Sequence, residues 1–154
     1  MFVATRLVLI MALTIPQIVF AEYDPEKLKQ MISDNQELFH VSDWQRDKST
    51  QTWNAKTTKK WMSIAINDQQ TEIISPFINP KQIAVAKKRC LELATTAMSL
   101  ENPQEKKSIS KLLDRATQHH NLKHSEKNNV RFEVRPKLVG AFVRLFCRVK
   151  TAQR

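Results

Sequence analysis

Three histidines, His119, His120 and His124, come nearest to a metal-binding pattern in this sequence. His120 and His124 are four residues apart, so on a helix they would share one face and could both bind Zn²⁺. The residues between them are Asn-Leu-Lys, with no glutamate to act as the general base of a zinc hydrolase. They also fall where a helix is predicted to end, and a cationic side chain is favourable there without any metal. We therefore predict neither a metal site nor a cofactor.

Other catalytic patterns in the sequence are weak. Ser108 and Lys111 fit the S-x-x-K spacing, in which a lysine one helical turn away activates a serine, but the accompanying S-D-N and K-T-G elements are missing. Gly140 is the only glycine in the chain. Phosphate-cradling loops, dinucleotide-binding turns and nucleophile elbows need glycine, because the backbone must turn sharply or approach its ligand closely. The sequence therefore favours a protein without enzymatic activity.

A different kind of site is indicated near residue 147, where basic and aromatic residues alternate with apolar ones. Residues 130–135 and 142–150 both show this period of two, joined by a connection from Pro136 to Gly140. The alternation predicts an antiparallel hairpin with one face in the core. The opposite face would carry the predicted partner-binding residues, which are Arg131, Arg135, Phe142, Arg144, Phe146, Arg148 and Lys150.

Positive charge beside aromatic rings suits an acidic protein surface, a nucleic acid, or an anionic lipid or polysaccharide. The alternative is a solvated charged face, with Phe142 and Phe146 covered by a helix on the second side of the sheet. Covering Arg144 and Arg148 at the same time costs free energy unless each guanidinium has a polar partner. We therefore favour a binding face.

The charge of the chain is unevenly distributed. The sequence has a formal net charge of +10. Residues 22–78 carry 7 basic and 9 acidic side chains, whereas residues 79–154 carry 17 basic and 6 acidic ones, a net charge of +11. A field of this sign attracts anions and bears on partners, not on the fold. An acidic macromolecular partner is the first expectation.

Residues 1–21 have the pattern of a cleaved signal peptide. Arg6 precedes an apolar run from Leu7 to Ile15, and Val19 and Ala21 are small residues before a cleavage point. The run is shorter than the roughly 20 apolar residues that a spanning helix requires, although an uncleaved anchor is the alternative. Residues 22–154 would form one globular domain without a spanning segment, in the periplasm or secreted.

The two cysteines of the chain, Cys90 and Cys147, are predicted to form a disulfide. Exported proteins use an even number of cysteines in this way, and no C-x-x-C redox motif is present. Two buried free thiols are the alternative. Cys147 falls on the core face of the predicted hairpin, and Cys90 falls on the inward face of a helix that could lie against it.

Three helices are predicted, because Asp24-Pro25, Asn79-Pro80 and Asn102-Pro103 each combine an N-cap residue with a proline at the first helical position. They would cover about residues 25–39, 80–99 and 103–120. Strands are predicted near 60–66 and 71–77, and the stretch before them as a loop. Trp44, Trp53 and Trp61 would anchor that loop to the core or form a surface for sugar or protein. The fold is thus predicted as α+β, with about three helices on a small antiparallel sheet.

These observations favour a non-enzymatic exported binding protein, such as an inhibitor, an immunity protein or an accessory factor of an envelope machine. It would engage its acidic partner through the hairpin face. An exported protein that binds nucleic acid or another anionic polymer is the second expectation. A small hydrolase or nuclease that uses the histidines is the third.

Overall fold

Four helices and seven strands make up the part of the chain that the computed structural model describes, residues 22–59 and 61–152. The predicted signal peptide lies outside the described residues. In chain order the elements are α1 (Pro25–Asp34), α2 (Gln36–Phe39), β1 (Val41–Asp47), β2 (Thr52–Thr57), β3 (Ser63–Ile66), β4 (Gln70–Pro76), α3 (Pro80–Ala97), α4 (Pro103–His119), β5 (Lys123–Lys127), β6 (Val130–Val139) and β7 (Phe142–Thr151).

All seven strands belong to one antiparallel sheet. Their order across the sheet is β1-β2-β3-β4-β7-β6-β5, so β7 lies between β4 and β6. Arg148 of β7 is opposite Glu72 of β4 on one side and Glu133 of β6 on the other. The sheet is therefore larger than the small sheet predicted from the sequence, although the α+β class is confirmed.

The helix starts follow the predicted capping pattern. The side chains of Asp24, Asn79 and Asn102 accept backbone N–H groups of the first turns of α1, α3 and α4, and each of these helices has proline at its start. The single helix predicted over 25–39 is wrong, because it is interrupted at Asn35 and continues as the short α2. His40 ends α2 in the left-handed conformation, with φ 52°.

The helices pack against one face of the sheet, and the hydrophobic core lies between them. Leu93 and Ala94 of α3 and Leu113 of α4 are fully or almost fully buried there. Phe132 of β6 and Leu145 of β7 are the matching buried strand residues. The remaining strand residues alternate onto the other side, which is not covered by any helix of the described residues; we call this side the open face.

Cys90 of α3 and Cys147 of β7 form a disulfide with a Cα–Cα distance of 5.6 Å, which confirms the predicted pairing. The bridge joins α3 to β7, an inner strand of the sheet, within the core. Structural disulfides form and persist in oxidising environments, so this one indicates a compartment outside the cytoplasm. Among the described helices, none has the length and apolar character that crossing a membrane requires.

The predicted loop before residue 60 is instead the hairpin of β1 and β2, and β5 was not predicted at all. Most side chains of β1 and β2 are exposed or half-buried on both faces, so they show little apolar alternation. The β5 sequence, KHSEK, contains no apolar residue. The period-two pattern that indicates a half-buried strand is therefore missing from these three strands.

Candidate functional site

The seven predicted partner-binding residues all lie on the open face. They alternate along β6 and β7 with buried residues such as Phe132, Leu145 and Cys147, which face the helices. Phe142 is 46% exposed, and Phe146 is half-buried. The arrangement in which a helix covers these rings is therefore not present among the described elements.

Three of the seven residues are neutralised by carboxylates of the open face. Nε and Nη2 of Arg148 both donate to Oε2 of Glu72, at 3.1 and 2.6 Å. Nζ of Lys150 lies 3.1 Å from Oε1 of Glu133. Arg131 also lies against Glu133, with its Nε 2.9 Å from Oε1, in an ionic contact that is not a well-directed hydrogen bond.

The carboxylates of Glu72 and Glu133 flank Arg148 and line a small groove. Burial by itself raises the pKa of Glu133. The hydrogen bond and charge of Lys150, with the charges of Arg131 and Arg148, outweigh that effect and hold the pKa below its usual range. An ionised carboxylate held in this way cannot supply a proton as a general acid near neutral pH.

The other end of the face has a different character, and we call it the cationic aromatic end. It consists of Trp61, Arg135, Lys137, Phe142, Arg144 and Phe146. The guanidinium carbon of Arg135 and Nζ of Lys137 lie 5.9 and 5.8 Å from the ring centre of Phe146. The guanidinium of Arg144 lies 5.3 Å from the Trp61 ring, and the rings of Trp61 and Phe142 are 5.9 Å apart.

Two members of the cationic aromatic end were missed from the sequence. Lys137 continues the alternation of β6, but it follows Pro136 and was assigned to the connection between the strands. Proline is tolerated within this strand of the sheet, and β6 extends to Val139. Trp61 lies outside the strands and is 59% exposed, so only its position in space brings it to Arg144.

Arg144 has an unused donor at this site. Its Nε is buried and makes no hydrogen bond within the described residues. A shallow groove beside it is lined by Trp61, Ile78 and Phe142, among others. Buried polar groups are normally hydrogen-bonded, and an unpaired one costs free energy.

The three histidines lie in three different settings. His119 is the last residue of α4, His120 ends the helix in the left-handed conformation with φ 51°, and His124 lies in β5. The helix therefore ends near His120, as predicted, and His120 and His124 do not share a helical face. Within the described residues, no group of three His, Cys, Asp or Glu side chains is arranged to hold a metal ion. Ser108 and Lys111 are exposed residues of α4.

The tryptophans divide into two kinds. Trp44 and Trp53 of the first hairpin pack against the core, as the anchoring alternative expects. Nε1 of Trp44 donates to Oγ of Ser33 at 3.0 Å, and Nζ of Lys29 lies 3.6 Å from the Trp53 ring. Trp61 is the exception, since it belongs to the open face.

A separate cavity of about 330 Å³ lies where α2, β4 and α3 meet, and sequence reasoning did not identify it. Its lining residues are His40, Lys59, Pro76, Lys81, Gln82, Val85 and Arg89. The members come from segments up to 49 positions apart, so no local pattern reveals them. Arg89 in particular falls on the inward face of a helix, a position where apolar residues are expected.

Comparison with known proteins identified no relative: no protein family, curated protein or solved structure matches this chain.

Proposed function

We propose that this protein is a non-enzymatic binding protein of an oxidising compartment outside the cytoplasm, and that it engages an acidic protein through the cationic aromatic end. One observation carries the proposal. Arg135, Lys137 and Arg144 have no carboxylate within ion-pair distance among the described residues, whereas Arg131, Arg148 and Lys150 do. Arg144 lies beside the exposed ring of Trp61, and Arg135 and Lys137 lie beside the half-buried ring of Phe146.

Aromatic and arginine side chains together are typical of the energetic centre of a protein–protein interface. Trp61 and Phe142 offer large exposed rings, and Arg144 offers a buried donor that lacks an acceptor. Acidic side chains of a partner would pair with the three cations. Charge complementarity of this kind increases the association rate and favours one partner over others.

An acidic protein fits better than a nucleic acid, because the positive charge is confined to one end of the face. Proteins that follow a phosphate backbone present a continuous cationic groove. Here Glu72, Glu126 and Glu133 interrupt the face, so a long polyanion crossing it would meet carboxylates. A compact interface with a rigid, disulfide-linked domain is typical of inhibitors, immunity proteins and accessory factors of larger assemblies.

Binding of nucleic acid or another anionic polymer is the second candidate, and one observation favours it. Trp61 and Phe142 are 59% and 46% exposed and lie next to Arg144, and exposed rings beside cations are the elements on which bases stack. Such binding would weaken steeply with salt and would depend little on sequence.

The test is a capture experiment with three forms of the purified, disulfide-bonded protein. The first form is wild type. The second carries Arg135→Glu and Arg144→Glu, and the third carries Lys111→Glu and Arg115→Glu on the exposed surface of α4. The second and third forms change the net charge of the protein equally, but on opposite sides of the molecule. Each form is immobilised and exposed to envelope extract at low and at high salt. The captured protein is then purified, and its affinity for each of the three forms is measured.

We expect one acidic protein to bind wild type and the α4 variant with similar affinity at high salt. The Arg135→Glu, Arg144→Glu variant should bind it at least ten-fold more weakly, because both cations become repulsive. Equal affinity of all three forms would contradict the proposal. Capture of nucleic acid that high salt releases would replace it with the second candidate.

A further inference from the structure

Arg89 is a buried cation whose charge is not neutralised within the described chain. It is 5% exposed. Its Nε donates to the backbone oxygen of Leu38 at 2.7 Å, and its Nη1 lies 3.4 Å from Oγ of Ser75. Neither partner is charged, and no carboxylate of the described residues lies within ion-pair distance. Burying a guanidinium in this way is unfavourable unless an anion is supplied from elsewhere.

Arg89 lines the 330 Å³ cavity together with two more cations, Lys59 and Lys81. His40 and Gln82 provide further polar groups, and no carboxylate is among the lining residues. Lys81 and Gln82 belong to the first turn of α3, an 18-residue helix whose positive dipole end therefore faces the same region. The cavity thus combines three positive charges from two segments, Lys59 before β3 and both Lys81 and Arg89 in α3.

The pKa of His40 is affected by the same positive charges. Burial is the largest cause that lowers the pKa of its imidazole below the usual value, and the positive charges of Lys59 and Arg89 lower it further. His40 follows α2 in the left-handed conformation, and its side chain lines the cavity. A protonated imidazole is disfavoured there as long as no anion is present.

We propose that this cavity is a binding site for a doubly charged oxyanion, specifically the phosphate group of a small organic molecule. A single carboxylate would leave at least two of the three cations without a counter-charge, whereas a phosphate monoester carries close to two negative charges near neutral pH. The terminal nitrogens of Arg89 offer the planar donor geometry that phosphate oxygens accept.

The size and lining of the cavity indicate that the ligand is larger than free phosphate. Small-molecule sites are generally about 300 to 1,000 Å³, and this cavity is within that range. Val85 and Pro76 give it an apolar wall on which the organic part of the ligand would pack. This site is independent of the proposed function, since it shares no cation with the cationic aromatic end and requires no macromolecular partner.

Isothermal titration calorimetry at constant ionic strength would test the site with phenyl phosphate, inorganic phosphate, sulfate and acetate as probes. Two variants change the cavity: Arg89→Met, and Lys59→Gln combined with Lys81→Gln. The matched control combines Lys88→Gln with Lys107→Gln, two exposed helix lysines that do not line the cavity. The double lysine variants lose the same charge, and both should fold because the changed residues are on the surface.

We expect saturable binding in the order phenyl phosphate, then inorganic phosphate and sulfate, with acetate weakest. The Lys59→Gln, Lys81→Gln variant should bind each dianion at least ten-fold more weakly than the control variant does, and Arg89→Met should abolish binding. Inorganic phosphate binding as tightly as phenyl phosphate would assign the site to free phosphate. The proposal would be overturned if the dianions bound no more tightly than acetate. It would also be overturned if the two double lysine variants bound the dianions with equal affinity.

The pKa of His40, followed by NMR, gives a readout that does not depend on a variant's stability. Sulfate is suited to this measurement because its charge is constant over the titration range of histidine. Saturation with sulfate should raise the pKa of His40, since the anion favours the protonated imidazole and offsets Lys59 and Arg89. A His40 pKa that is the same in sulfate and in chloride would show that no dianion occupies the cavity.

Discussion

Tyr23 is the only tyrosine of the chain, and its hydroxyl is buried between two polar groups. It donates to the backbone oxygen of Asn67 at 2.8 Å and shares a hydrogen bond with Oγ1 of Thr71 at the same distance. Burial is the main cause that raises the pKa of Tyr23 to about 12; the hydrogen bond with Thr71 opposes it, and the charges of Asp68 and Asp24 add to it.

This pKa gives a prediction that absorbance spectroscopy can check. Because Tyr23 is the sole tyrosine, the phenolate absorbance reports one residue, and we expect its midpoint at about pH 12 in the folded protein. In urea the midpoint should return to about 10. The folded pKa is the higher one, so the contribution of Tyr23 to the free energy of unfolding is fully present below pH 10 and is lost as pH rises through 12. A midpoint at pH 10, with native circular dichroism, would contradict the prediction.

Residues that are distant in the sequence determine which cations of the open face have a carboxylate partner. Glu72 neutralises Arg148 from 76 positions away, because β4 and β7 are neighbours in the sheet. The alternation along the hairpin placed the seven residues on one face but could not show which of them have partners. Pairing across strands is decided by topology, and no local pattern in one sequence contains it.

At the scale of elements, the helices and strands with a strong local sequence pattern were predicted, and those without one were missed. The three capped helices were predicted because asparagine or aspartate, proline and apolar periodicity agree at each start. The β6–β7 hairpin was predicted because its core face is strictly apolar. The strands β1, β2 and β5 were missed because they lie toward the two edges of the sheet, where few side chains are buried and polar residues are tolerated.

The β6–β7 hairpin depends on Gly140, which has φ 62° in the two-residue turn between Val139 and Phe142. An added Cβ would meet no atom within 4 Å, so a substitution there is penalised by backbone conformation alone. We expect Gly140→Ala to lower the free energy of unfolding by about 1 kcal/mol in a urea titration. Ala141→Ser, in the same turn, should lose less, because residue 141 has no positive φ; equal losses in both variants would contradict the explanation.

On the scale of the whole molecule, net charge and binding face are separate properties. Of the 17 basic residues in the range 79–154, eight lie in α3 and α4, on the side away from the open face. The asymmetry between the two parts of the sequence therefore does not map onto one surface. What distinguishes the cationic aromatic end is the absence of carboxylate partners among the described residues, together with its exposed rings.

The disulfide is the covalent link between the helical layer and the sheet, and it closes a loop with a sequence separation of 57. Closing a loop of that length stabilises a protein by about 4 kcal/mol in the chain-entropy model. We expect reduced wild type to be less stable than oxidised wild type by that order, as measured by urea unfolding with and without reductant. Labelling of both thiols by an alkylating reagent in the native protein without reductant would contradict the bridge.

The place of β7 between β4 and β6 also determines the order in which the sheet can be completed. Before β7 has been synthesised, β1–β4 and β5–β6 are two separate pieces, and each ends in a strand with unpaired backbone groups. The segment that joins them is the last of the described strands to emerge from the ribosome. The sheet of a nascent chain therefore stays in two pieces until β7 has emerged, and a variant that lacks β7 would be left with two sheet fragments prone to aggregation.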